Sequence, residues 1–245
     1  MLEIAPEVVR PVRRAGSAIV WREAVIGAGA ISLVVRAAVS VWAFVVVSIT
    51  PGHARTDPLT FFSRWGSSYF ASIATEGYFG PHSAGKLQAL FPAYPILARL
   101  LASVLFTTDR PTESDISVGL WLAAAIPSLI AAIVIWMLAA ERFGPRIGAA
   151  ATALFVAGPY GVVLAASCSE SLYLALALLA WYQASRGRWV YAGLLGAAAS
   201  LTRIDGLFLA LALGVLFVNR RGIAWRAEVS RAIGLVSRAV SGVFA

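Results

Sequence analysis

Three short polar clusters interrupt an otherwise apolar chain, and their residue types suit work on an anionic, lipid-linked substrate. The first runs from Arg64 to Lys86 and includes Trp65, Tyr69 and Glu76. The second is Ser167-Cys168-Ser169-Glu170-Ser171, and the third is Thr202-Arg203-Ile204-Asp205-Gly206. Arginine can grip a phosphate with two parallel N–H donors, and lysine meets it as a point charge. Arg64, Lys86 and Arg203, with Asp205 beside the last, are therefore candidate binding groups, while Trp65 and Tyr69 offer flat faces to a sugar or a lipid. A carboxylate can take the proton from an attacking hydroxyl, which makes Glu76 and Glu170 the candidate catalytic residues. Each has a plainer explanation too. Glu170 would favour the N-terminal dipole of a helix, and Arg203 and Asp205 could simply pair with each other. No metal or other cofactor is expected. His53 and His82 stand far apart with no ligand spacing around them, and the lone Cys168 rules out a cysteine metal site and an internal disulfide.

The elements that must position these clusters follow from composition. A 245-residue chain that is 60% hydrophobic and 13% charged, with mean hydropathy +0.80, lies outside the range of soluble domains. Its apolar runs approach or exceed the roughly 20 residues that a bilayer span requires. The expected fold class is an all-α, polytopic membrane helix bundle. The net charge of +8 is not a nucleic-acid footprint, because the basic residues form no continuous stripe. Arg13-Arg14, Arg186 with Arg188, and Arg220-Arg221 sit beside apolar segments, where they set topology and meet anionic headgroups. Membrane lipids are thus expected partners and nucleic acid is not. A single lysine, Lys86, against many arginines, with heavy use of Ala, Val and Gly, points to a GC-rich bacterial genome and so to a bacterial plasma membrane.

In order, residues 1–23 read as a polar, basic segment in the cytoplasm, and 24–49 as a first transmembrane helix too long for a signal peptide. Arg36 falls near its middle. An intramembrane arginine faces a bundle interior or a wet cavity by default, tilting and snorkelling being the alternative. Asp57-Pro58 starts a helix as N-cap and first residue. Phe62, Trp65, Tyr69 and Ile73 then recur at helical spacing, as in an amphipathic helix at the interface that Gly77, Gly80 and Pro81 end. Loops 141–146, 185–188 and 219–221 each carry two arginines, whereas 167–171 carries none and 202–206 one. The positive-inside rule puts the first three in the cytoplasm. Counting back, Leu87–Phe106 does not cross, and 50–115 becomes one large extracytoplasmic loop with interface-lying helices. Residues 116–218 form the transmembrane bundle, with a kink at Gly158-Pro159. Two of its apolar runs, Leu172–Ala184 and Trp189–Leu201, are only about 13 residues, short of a span. They extend into their flanks or are half-helices lining a cavity. Residues 219–245 are a basic amphipathic segment.

Four spaced motifs now bring a family into view. Phe61–Tyr78, in the form F-x-x-R-W-x-S-x-Y-F-x-x-I-A-x-x-G-Y, followed by Leu90-Phe91-Pro92-x-Tyr94-Pro95, resembles the PIG-V (GPI mannosyltransferase 2) family of polyprenyl-phosphate-mannose-dependent mannosyltransferases. Ser169-Glu170-Ser171-Leu172-Tyr173 is similar to that family's Y-S-E-S-L-F segment, and Thr202–Gly206 to its T-R-x-x-G segment. The resemblance implies a GT-C architecture: a first helix, a large extracytoplasmic loop with interface-lying helices, then a bundle. It also implies transfer of mannose from a polyprenyl-phosphate donor on the outer side. Two departures matter. The family's expected catalytic carboxylate follows the R-W pair, where this chain has Gly66, leaving Glu76 and Glu170. Family members also continue with further helices beyond the T-R-x-x-G region.

The expected function is therefore an integral-membrane glycosyltransferase that moves mannose, or a related sugar, from a polyprenyl-phosphate donor to an outer-face acceptor. The alternative is a non-catalytic pseudoenzyme or membrane subunit that keeps the GT-C fold and serves a partner subunit. A small-solute transporter would be expected to show inverted repeats, and none is visible.

Overall fold

The computed structural model describes residues 17–49, 66–80 and 87–220. All regular structure among them is helical. Helix α1 spans Ser17–Ile49 and α2 spans Ser67–Glu76. After a short 3-10 turn at Leu87–Ala89 come α3 (Ala93–Phe106), α4 (Glu113–Phe143), α5 (Pro145–Ala157) and α6 (Gly161–Ala165). Helices α7 (Glu170–Ser185), α8 (Trp189–Ser200) and α9 (Gly206–Arg220) complete the bundle. Trp21–Val46, within α1, and α4 are long and apolar enough to cross a membrane by length and composition; α3, α5, α8 and α9 are apolar but shorter.

Helix α4 is the central post, and its ends are written in local chemistry. Thr112 and Asp115 form a reciprocal capping box, and Glu113 and Asp115 place negative charge on the helix's positive end. Gly144 stops α4, and Pro145 opens α5 at a position where its missing N–H costs nothing. Helix α1 runs antiparallel to α4: Ala24 and Ala28 pack near Trp136 and Met137, whereas Ala43 clusters with Trp121. Helix α7 runs parallel to α4, with Leu172 beside Leu120 and Ala123, and Tyr182 against the Trp136 cluster. Helix α8 returns, and α9 follows α7 again, so Ala180, Ala184, Ala192 and Leu213 share one core.

The expected break at Gly158-Pro159 is present, and it is complete rather than a kink: α5 ends at Ala157 and the short α6 begins at Gly161. The two short runs behave differently from each other. Helix α7 gains Glu170 and Ser171 at its start, reaching 16 residues, while α8 stays at 12. Helix α3, at 14 residues, lies antiparallel along the first half of α4, with a Cβ placed on Gly119 falling 2.3 Å from the carbonyl oxygen of Ala98. Helix α2 has two distinct faces. The face that packs inward carries Ser67, Phe70, Ile73 and Ala74, and Tyr69 is exposed. A true helix turns 100° per residue, so Phe70 rather than Tyr69 shares the Ile73–Ala74 face. The Asp57-Pro58 cap, Phe62, Trp65, the 1–16 segment and the 221–245 tail lie outside the described residues.

Candidate functional site

The charged centre of the site is a three-residue ion cluster built from two helix starts. Glu170 is the first residue of α7, where a carboxylate complements the helix dipole. Arg203 sits in the turn between α8 and α9 and reaches both neighbours: Nη1 donates to Glu170 Oε1 at 2.6 Å, and Nε donates to Asp205 Oδ2 at 2.9 Å. Burial alone would lower the pKa of Arg203, but the hydrogen bonds and charges of Asp205 and Glu170 outweigh it and raise the value. Arg203 is therefore a fixed cation. Its Nη2 makes no hydrogen bond among the described residues, so part of the guanidinium fork stays available. Gly206 closes the turn because nothing larger fits: a Cβ there would lie 2.3 Å from Ser200 Cα.

Buried groups hold this cluster from behind. Ser167, Ser169 and Ser171 are buried around it, and Cys168 feels the charges of both Glu170 and Arg203. Burial pushes the Cys168 thiol up to about 11, with Glu170 adding to the rise. Tyr173 Oη donates to the backbone carbonyl of Asp205 at 3.1 Å, tying α7 to the α8–α9 turn. On the other side, the backbone N–H of Ala93 donates to the Leu201 carbonyl at 3.0 Å, which pins the start of α3 to the end of α8. Tyr94 is fully buried, donates to the Leu120 carbonyl at 2.8 Å, and meets Phe70 edge-on at 5.0 Å. Phe70, Tyr94 and Leu172 share one core cluster. The described parts of all four motif segments thus meet at one place: α2, the Leu90–Pro95 run, Ser169–Tyr173 and Thr202–Gly206.

The individual candidates divide. Glu170, Arg203 and Asp205 are together. Glu76 ends α2, exposed, with its side chain folded against Gly80, where an added Cβ would lie 2.9 Å from Oε2. It lies six residues beyond Phe70, about 9 Å further along that helix, and Glu170 pairs with Arg203 instead. Tyr69 is exposed at the start of α2. Arg64, Trp65 and Lys86 lie outside the described residues. Gly66 caps α2 at φ 93, a left-handed conformation, and a Cβ there would meet only the Tyr69 ring at 3.9 Å. An aspartate at this position has room but must adopt a backbone that costs about 1 kcal/mol. No group of three potential metal ligands occurs among the described residues.

Sequence reasoning missed the structural part played by Tyr94 and Tyr173, which donate to remote backbone carbonyls, and by Leu164, whose carbonyl accepts from the Arg36 and Ser171 side chains, since no local pattern marks such contacts.

Comparison with known proteins agrees with this convergence. A family model described as Mannosyltransferase (PIG-V) matches residues 46–230. The GPI alpha-1,6-mannosyltransferase 2 of Cricetulus griseus is 36% identical over 152 residues, which cover 59% of this chain and 29% of that protein. The Rattus norvegicus protein of the same name is 35% identical over 152 residues, and the Homo sapiens one 33% over 154, with the same shares covered. The matched region is thus less than a third of the length of these relatives. No solved structure matches the chain.

Proposed function

Because the chain belongs to the PIG-V mannosyltransferase family, we propose that it moves mannose from a polyprenyl-phosphate carrier to a hydroxyl of an acceptor on the outer face of the membrane. The observation that carries this reading is the meeting of four motif segments around the Glu170–Arg203–Asp205 cluster. Glu170 takes the acceptor's proton as its oxygen bonds to the sugar's anomeric carbon. The bond from that carbon to the carrier's phosphate oxygen breaks, and the phosphate leaves with the electron pair. Arg203 holds Glu170 in place through its hydrogen bond, and its remaining donors, with Arg64 and Lys86, meet the phosphate. Asp205 holds Arg203 in register, and Trp65 and Tyr69 pack on sugar or lipid. Glu76, distant from the Phe70–Leu172 contact, is the weaker choice of base.

The charges also support an orientation. One end of the bundle carries Arg22, Arg142, Arg146, Arg186, Arg188 and Arg220 against Glu23 and Glu141. Among the described residues the other carries Arg99, Arg110 and Arg203 against Glu76, Asp109, Glu113, Asp115, Glu170 and Asp205. The basic end faces the cytoplasm by the positive-inside rule, which puts the site on the outer side of a multi-pass GT-C bundle. Helix α3 and the start of α4 then belong to the outer platform.

A second reading, a pseudoenzyme serving a membrane partner, is favoured by one observation: the family's acidic position is a left-handed glycine, Gly66. Radiolabelled polyprenyl-phosphate-mannose supplied to membranes with and without the protein separates the two. Protein-dependent label in a lipid-linked product is expected. Its absence, followed by a gain of transfer in Gly66→Asp, would establish that the base has been lost.

A further inference from the structure

Arg36 lies midway along α1, at the level of Ser128 on α4, with no carboxylate partner among the described residues. Its Nη2 donates to Ser128 Oγ at 2.6 Å and to the Leu164 carbonyl at 3.0 Å, and its plane lies 5.6 Å from the Trp121 ring. That carbonyl has a reason to need partners. Leu164 is in the last turn of α6, where carbonyls lose their intrahelical donors. The N–H four residues on, at Cys168, turns instead to Ala166 at 2.8 Å. Ser171 Oγ supplies a second donor to the same oxygen at 3.3 Å. One buried carbonyl therefore joins the α1 arginine to the residue immediately after Glu170. The cavity beside Arg36, lined by Ser32, Ser128 and Leu164, holds about 20 Å³. That is room for roughly one water.

We propose that Arg36 is a positioning residue for the site, fixing the Ala166–Ser169 loop and the start of α7 through the Leu164 carbonyl. Broken backbone at membrane depth is tolerated only where protein satisfies it. The Gly158-Pro159 break and the α6–α7 loop are such a place, and Arg36 is the side chain that satisfies it from the opposite helix. The cost of an arginine in an apolar environment is offset by two hydrogen bonds that no aliphatic residue could make. The inference rests on the mannosyl-transfer reading only for its effect on activity.

Cys168, the chain's one cysteine, sits in the loop under test and reports its position without any activity assay. Arg36→Met keeps the bulk but removes the donors; Arg36→Lys keeps charge and one donor. In full-length protein reconstituted into vesicles, alkylation of Cys168 should rise about tenfold in Arg36→Met and return most of the way in Arg36→Lys. Mannosyl transfer should fall about thirtyfold in kcat with KM for the carrier within about threefold, since the phosphate contacts are not touched. Wild-type alkylation and turnover in a folded Arg36→Met protein would overturn the proposal. Should that variant fail to fold, Ser171→Ala removes the second donor without disturbing the charge. A threefold rise in its alkylation is expected, and an unchanged rate would overturn the idea. Loop protection lost in Arg36→Met while the wild type itself transfers no mannose would support the positioning role and remove the transfer reading alone.

Discussion

Both ends of α7 carry an arginine–glutamate pair, and the two pairs differ in their surroundings. At the basic end Arg186 bonds Glu141 of α4 and lies over the Tyr182 ring at 4.0 Å from its centroid. At the acidic end Arg203 bonds Glu170 and Asp205. Side-chain exposure does not separate them, at 36% and 38% for the first pair against 34% and 37% for Arg203 and Glu170. What separates them is the company. Arg186 has Arg188 two residues on and stacks on an aromatic face, as an anchor at a membrane boundary does. Arg203 stands beside buried hydroxyls and one thiol of the 167–171 segment, and ties the start of α7 to the α8–α9 turn through Glu170 and Asp205. An ion pair by itself is therefore no mark of a site; polar groups buried behind it are. The distance between the pairs, about 24 Å at 1.5 Å per residue along α7, makes one helix carry both kinds.

The contrast breaks most sharply at the two glutamates. Glu170→Gln should lower kcat for mannosyl transfer at least a hundredfold, within the range expected for losing a general base. Glu141→Gln should leave kcat within twofold. Neither should move stability by more than about 1 kcal/mol, because exposed pairs contribute little. Equal losses in both variants, read in the same membranes with folding checked by detergent size exclusion, would erase the distinction drawn here.

The arginines give the next largest difference. Arg203→Lys keeps the charge but cannot hold two carboxylates in one planar fork, so about a tenfold fall in transfer is expected. Arg186→Lys keeps a point charge for Glu141 and should stay within twofold. Rates for both variants, measured at saturating donor, test this.

How much of this was legible beforehand depends on whether the signal was local. The two short runs match α7 and α8 to within a few residues, while the stretch around Gly158-Pro159 divides into the separate helices α5 and α6. The pairing of Arg203 with Asp205 was visible two residues apart, and the convergence of Glu170 with Arg203 was visible as alternation of loops. Tyr69 lies on the exposed face of α2, and the inward face is set by Phe70, which meets Tyr94, a contact that the spacing alone does not mark. Arg36 was noticed as an oddity, but its partner is a carbonyl freed by a helix end far along the chain, and no residue type advertises that.

A smaller difference concerns the thiol in the acidic-end floor, which has no counterpart at the basic end. Burial and Glu170 raise Cys168 to about 11, from an ordinary value of 9.0. A thiol with a raised pKa stays protonated between those two values, so the reactive thiolate is scarce in the folded protein there. Alkylation, which needs the thiolate, should be roughly fiftyfold slower in folded than in unfolded protein at pH 9, and the gap should narrow to about twofold as pH approaches 11. A flat ratio across that range would mean that the loop is open to solvent and that the floor beneath Glu170 is not sealed.

The smallest effect belongs to the basic end, where Tyr182→Leu removes the ring beneath Arg186 while keeping an apolar side chain against the Trp136 cluster. A cation stacked on an aromatic face at an exposed site contributes about 0.5–1 kcal/mol. The thermal midpoint should therefore fall by only a few degrees, and transfer should stay at the wild-type rate. The prediction matters because Tyr182 shares α7 with Glu170, twelve residues or about 18 Å away by helix rise. If loosening this end of α7 slowed transfer as strongly as Arg203→Lys, the helix would be acting as a rigid lever between its two ion pairs. The basic end would then be part of the machinery rather than an anchor for it.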